Sequence, residues 1–238
     1  MIDFLVLPQV LIAKLESSLS EARLRAYKWA ADEVPELTLA RYLWNTRLAE
    51  ALYPVLNSFE TALRNRLNAE LFRQYGPQWY DKPWLGDVGA RAIASAKSKL
   101  QNKNRKVTPD RLVAELTLGF WVALFYRDYE KHIWQTQGAL QRVLPYVAPK
   151  NRRQLKNLRP RLETMRELRN RVSHHEPVWK DENLQQTHAD LRELIQWMSL
   201  ELASLTQVVD RFDEVFQAGE ESLLPEIQQL AAHRMDWL

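Results

Sequence analysis

The segment Glu167-Leu168-Arg169-Asn170-Arg171-Val172-Ser173-His174-His175-Glu176-Pro177 gathers the side chains best suited to chemistry in this 238-residue chain. Arginine offers paired N–H donors to phosphoryl oxygens, histidine moves protons near neutral pH, and asparagine orients an imidazole without titrating. Arg169, Asn170 and His174 together suit phosphodiester cleavage, in which charge grows on the phosphorane and fixed donors stabilise it. Pro177 biases Glu176 out of the helical region, so a helix ends near Ser173 to His175. On that helix Asn170 and His174 share a face, as do Arg171 and His175, whereas Arg169 and His174 diverge by about 140°. For both to hold one phosphate, either the last turn unwinds or the guanidinium reaches round it.

Two other readings fit the same residues. Histidines at a helix exit also serve as C-terminal caps and complement the negative end of the helix dipole. A metal site would have to combine His174, His175, Glu176 and the more distant His188. Adjacent residues rarely ligate one ion together, no His-x-x-x-His spacing occurs on a helix, and there is no cysteine, so no metal ligand and no cofactor is assigned. Charge adds a further clue. Residues 181–238 carry a net −9, which leaves +12 on residues 1–180. Ten Lys and Arg lie between Arg142 and Arg171, against only Glu163 and Glu167. This run nominates Arg152, Arg153, Lys156, Arg166 and Arg171 as RNA contacts; a shorter one, Lys97 to Lys106, reads equally well as a solvated helix face.

The elements that must position these groups are helices. Glycine is scarce, 6 residues, and no Asn-Gly or Asp-Gly turn separates alternating apolar runs. Leu48, Leu52, Val55, Leu56, Phe59, Leu63, Leu67 and Leu71 form one stripe at three- and four-residue steps, and Leu155, Leu158, Leu162, Met165, Leu168 and Val172 a second. Prolines mark the joints. The pattern predicts an all-α bundle of about eight to nine helices, near 9–32, 38–75, 87–103, 109–127, 129–144, 150–173, 183–203, 205–217 and 221–236. One domain over 1–204 with an acidic helical extension over 205–238 is the expected organisation. Trp79, Tyr80 and Trp84 fall in a Pro- and Gly-marked connection, where they either plug into the core or offer stacking platforms for bases. No apolar run approaches the ~18–20 residues needed to cross a bilayer, and the first residues lack the basic start of a signal peptide. The expected compartment is the cytoplasm, without a membrane partner.

Leu168-Arg169-Asn170-Arg171-Val172-Ser173-His174-His175-Glu176-Pro177 resembles the signature of the abortive-infection (Abi-like) proteins, a branch of the HEPN superfamily, whose mark here reads Arg169-Asn170-x-x-x-His174. Tyr42-Leu43-Trp44-Asn45 and the stretch from Leu52 to Leu67 are similar to the family's long N-terminal helix, Gly119 to Phe125 to its central aromatic helix, and Leu184 to Trp197 to the helix after the signature. Agreement spans about residues 40–200. The chain departs from the family in two places: the usual basic start is missing, and Glu176 stands where some HEPN toxins carry a tyrosine that is modified by nucleotidyl transfer. The resemblance implies a metal-independent RNA endonuclease of the toxin or phage-defence type, acting through attack of the substrate's own 2′-OH. His174 would move the proton, Arg169 would hold the phosphoryl oxygens and Asn170 would position His174. It also implies that the helix bearing Glu60 and Arg64 packs against the one bearing Arg169. The sequence supports such a pairing, since Ala62-Leu63-Arg64-Asn65-Arg66 echoes Glu167 to Arg171. Glu60, Arg64, Asn65 and His175 are therefore supporting residues, although a Glu/Arg pair of this spacing is also an ordinary exposed ion pair. A homodimer and a neutralising antitoxin, protein or RNA, are the expected partners besides the RNA substrate. The alternative function is a catalytically silent RNA-binding or scaffold module.

Overall fold

The computed structural model describes residues 7–28, 34–148 and 155–233, with the backbone alone at 7–12 and 231–233. Most of the described residues are helical and no strand occurs among them, as expected of an all-α protein. In chain order the helices are α1 (Leu7–Leu19), α2 (Glu21–Arg25), α3 (Pro35–Tyr75), α4 (Gly86–Asn102), α5 (Pro109–Glu115), α6 (Leu118–Ala123), α7 (Arg127–Tyr129) and α8 (Ala139–Val143). After residue 154 come α9 (Leu155–Ser173), α10 (Leu184–Met198), α11 (Leu200–Gln207), α12 (Phe212–Ala218) and α13 (Leu224–His233). Among the described residues no helix is long and apolar enough to cross a membrane.

Several expected helices are shorter than their apolar periodicity suggested. The one expected over 9–32 stops at Ser20, which takes φ 65° while its hydroxyl accepts the Arg23 N–H and caps α2. The one over 109–127 breaks at Leu116, after which the Thr117 hydroxyl accepts the Phe120 N–H and starts α6. Over 129–144 a π-helical turn, Glu130–Trp134, and Gly138 at φ 74° intervene before α8. Ser199 cuts the helix over 183–203 by capping α11. A capping hydroxyl satisfies one of the N–H groups left without a partner at a helix start, so a single Ser or Thr can restart a helix without disturbing the apolar period. The expected start of the 150–173 helix lies outside the described residues.

The long helix α3 begins at Pro35, whose missing N–H costs nothing in a first turn. Its stripe, Leu48 to Leu71, is buried throughout. Pro54, inside the helix, has no N–H to give to the Glu50 carbonyl, and the chain's division into two compact units falls directly after it.

One unit comprises Met1–Pro54, Asn170–Gln186 and Asp210–Leu238. Here Leu24, Leu39, Ala40, Leu223 and Ile227 bury one another, with Leu15, Leu19 and Trp44 alongside. A second cluster has a polar centre. Arg41, 1% exposed, donates to the Tyr27 carbonyl at 2.6 Å and to Glu220, and its guanidinium lies 4.8 Å from the Trp179 ring. Tyr27 stacks on Trp179.

The other unit comprises Val55–Arg169 and Thr187–Val209. The second half of the α3 stripe, Leu158, Leu162, Met165 and Leu168 of α9, and the apolar helix α6 form its core. Of the connection aromatics, Trp79 is core, 1% exposed, with its indole N–H on Asn68. Tyr80 is half-buried with the Lys97 ammonium 5.4 Å from its ring, and Trp84 is half-buried between Tyr75 and His132. Buried Glu70 ties α3 to α8: its carboxylate accepts both Nε (2.7 Å) and Nη2 (2.9 Å) of Arg142, two bonds from Arg73 and one from Gln74. Burial alone would raise the Glu70 carboxyl, but the hydrogen bonds from Arg142, Arg73 and Gln74 outweigh it and hold it down at about 2.

Candidate functional site

The helix exit belongs to the first unit. His174 donates its N–H to the Asn170 carbonyl at 2.9 Å, so the last turn of α9 does not unwind. His175 then takes φ 58°, the left-handed conformation of a helix C-terminus, donating to the Val172 carbonyl while Glu176 donates to the Arg171 carbonyl. Those two bonds make the closing motif of a helix in which the residue after the cap turns left-handed. The backbone of His175 therefore terminates the helix, and both imidazoles, of His174 and His175, are exposed.

Three side chains brace the exit and the segment beyond it. Arg23 from α2 donates to the His175 carbonyl at 2.5 Å. Arg171 donates to the Pro177 carbonyl and pairs with Asp181 at 2.9 Å. Asn45, 5% exposed on α3, accepts the N–H groups of Val178 (2.7 Å) and Trp179 (3.2 Å) on its single oxygen. Because backbone N–H groups can only donate, those two bonds fix which amide atom is the oxygen, and the amide nitrogen donates to the Tyr27 hydroxyl at 3.2 Å. The Asn170 amide makes no hydrogen bond among the described residues; only its backbone reaches His174.

Arg169 belongs to the second unit, whose α9 portion ends with it. Its Nε donates to Glu60 Oε2 at 3.0 Å, and the pair is partly open to solvent. No further bond holds the guanidinium among the described residues, so both Nη nitrogens keep their donors. Arg64 turns instead to the neighbouring Asn65, at a long 3.4 Å. Glu60 thus pairs with Arg169 and not with the arginine four residues along its own helix. Arg66, which the sequence left without a role, donates to the Met198 carbonyl at the end of α10.

The basic run is less free than its count suggested. Arg142 is held by Glu70, Arg159 by Glu130, Arg161 by Asp190 and Glu193, Arg166 by Glu163, Arg169 by Glu60 and Arg171 by Asp181. Lys156 is exposed. Arg152 and Arg153 lie outside the described residues. Among the described residues no three His, Asp or Glu side chains gather as a metal ion would require, and His188 is buried. Sequence reasoning missed Asn45 and Arg23 as braces. Asn45 is an amide within an apolar helix face, which marks it as unusual, but nothing in the sequence gave its partners.

No curated protein and no solved structure matches the chain at a significant level. A family model, described as Abi-like protein, matches residues 25–180, which include Asn45, Glu60, the whole of α9 and the braced exit. With well over half of its length inside that match, the chain belongs to the Abi-like protein family.

Proposed function

We propose that the protein is a HEPN-type, metal-independent RNA endonuclease of the abortive-infection class, acting in phage defence or as a toxin. The substrate's 2′-oxygen attacks the adjacent phosphorus, the bond to the 5′-oxygen breaks, and the products carry a 2′,3′-cyclic phosphate and a 5′-OH. His174 exchanges protons with these oxygens, Arg169 takes the phosphoryl oxygens, and the Asn170 amide, which makes no hydrogen bond among the described residues, turns to His174 when substrate is bound. The observation that carries this reading is the half-occupied guanidinium of Arg169. Glu60 orients it through Nε alone, which leaves the two Nη groups as a fork for a phosphate. Family membership supports the class of function.

A helix that stays wound through Ser173 sends side chains five residues apart in directions about 140° from one another. That favours a homodimer in which the Arg169 of one chain works with the His174 of the other, with an antitoxin protein or RNA to silence the pair.

The test is cleavage of single-stranded RNA by purified protein in EDTA. Wild type cuts, and His174→Ala and Arg169→Ala each cut about a hundredfold more slowly or worse. If the site takes one residue from each chain, mixing the two inactive variants restores part of the activity. Dependence on an added divalent ion, or undiminished cleavage by both variants, overturns the reading. Salt-dependent RNA binding that survives His174→Ala, with no cleavage by wild type, selects the silent RNA-binding module instead.

A further inference from the structure

We propose that Asn45 is a positioning residue for His174, fixing the helix exit from α3 so that the imidazole is presented in one place. This rests on the endonuclease reading and deepens it.

Order at a helix end has to be supplied. His174 is exposed and sits where a helix ends, which is where backbones fray most readily. A group that must transfer a proton at a fixed geometry gains nothing from fraying, because a displacement of about 1 Å can cost a hundredfold in rate. Yet the backbone from His174 to Trp179 is unusually well tied. The N–H groups of His174, His175 and Glu176 close on α9 itself, and the carbonyls of His175 and Pro177 accept from Arg23 and Arg171.

Asn45 supplies the ties furthest from the helix. Its oxygen takes two successive N–H groups, Val178 and Trp179, that no helix or strand satisfies, and both residues are buried. The chain therefore has a fixed point on each side of His174: the wound helix before it and the Asn45 amide after it. Arg23 and Arg171 are the outer, half-buried supports, whereas Asn45 is buried and oriented by the Tyr27 hydroxyl. Burying an N–H group away from its acceptor is unfavourable, so removing the amide that serves both Val178 and Trp179 should let the strap from Pro177 to Trp179 move.

The test measures kcat and KM for RNA cleavage, with the fold followed by circular dichroism and all assays run well below the melting transition. Asn45→Ala is expected to lower kcat about tenfold or more with KM within about twofold, since substrate contacts are untouched and only aim is lost. Asn45→Asp keeps an acceptor for both N–H groups, and the Tyr27 hydroxyl can turn to donate to the new carboxylate; it should recover most of kcat. Tyr27→Phe, which frees the amide without touching the strap, should lower kcat by about threefold and decides the matter if Asn45→Ala does not fold. Wild-type kcat in folded Asn45→Ala, or in Tyr27→Phe, overturns the inference, and so does a loss that appears in KM alone. Each of these leaves the endonuclease reading standing, whereas no cleavage by wild type overturns both.

Discussion

Glu70 and Glu60 both sit on α3, and each grips an arginine far along the chain, Arg142 for one and Arg169 for the other. Glu70 is buried and its two oxygens accept five hydrogen bonds, from Arg142, Arg73 and Gln74. Glu60 is partly exposed and accepts one bond, from the Nε of Arg169. The first arrangement consumes its cations in joining segments of the second unit. The second orients a cation and leaves both Nη groups without a bond among the described residues. In a chain this rich in arginine, the number of positive charges says little about function; the deciding quantity is how many donors remain after the carboxylates have taken theirs.

The largest effect expected from this contrast is on Arg169. Arg169→Ala should slow RNA cleavage about a hundredfold or more while shifting stability by under ~1 kcal/mol, as a partly exposed pair allows. Arg142→Ala should do the reverse, destabilising the fold with cleavage by the remaining folded protein unchanged. Equal losses of rate in both variants would erase the distinction between the two pairs.

Next in size is the stability held by Glu70. Its folded carboxyl, at about 2, lies below the ~4.3 of an unfolded glutamate, so the unfolded state binds the proton first. The stabilisation is fully present above ~4.3 and is lost as pH falls through about 2. Urea midpoints should show wild type ahead of Glu70→Gln by about 2 kcal/mol near neutral pH, the size of hydrogen bonds to a charged group. The gap should close on going to pH 2. A gap that stays constant with pH would mean that Glu70 matters by its shape alone.

Smaller again is the effect of removing the orienting carboxylate. Glu60→Ala should lower kcat about tenfold, because Arg169 keeps its charge and loses only its direction. An effect as large as that of Arg169→Ala would place Glu60 itself at the reacting groups.

Much of the architecture was readable because it depends on long periodic patterns. The stripe from Leu48 to Leu71 and the buried set Leu158, Leu162, Met165 and Leu168 follow from spacing alone. The interruptions at Ser20, Thr117 and Ser199 were not, since a cap is one polar side chain whose effect depends on where its oxygen points. Pro177 correctly located the helix end through its own steric bias, but the left-handed turn at His175 left no compositional trace. Arg142, Arg159, Arg161 and Arg169 of the basic run looked free because their carboxylates come from distant segments: Glu70, Glu130, Asp190, Glu193 and Glu60. The choice between Arg64 and Arg169 as the partner of Glu60 needed packing for the same reason.

At the helix exit the contrast between consumed and available groups separates backbone from side chain in adjacent residues, and His175→Gly sharpens it most finely. His175 holds φ 58°, a conformation that costs an L-residue with a Cβ about 1 kcal/mol and glycine nothing. Its N–H and carbonyl are both occupied, by Val172 and Arg23, and its imidazole is exposed. If the backbone is what this position contributes, His175→Gly should raise stability by about 0.5–1 kcal/mol and leave cleavage within about twofold of wild type. His175→Ala is the control, since it removes the imidazole and keeps the strained backbone; it should match wild type in stability and rate. A tenfold fall in rate with both variants, against a rise in stability with glycine alone, would instead put the second imidazole among the reacting groups, and the exit would then offer two proton carriers from each chain rather than one.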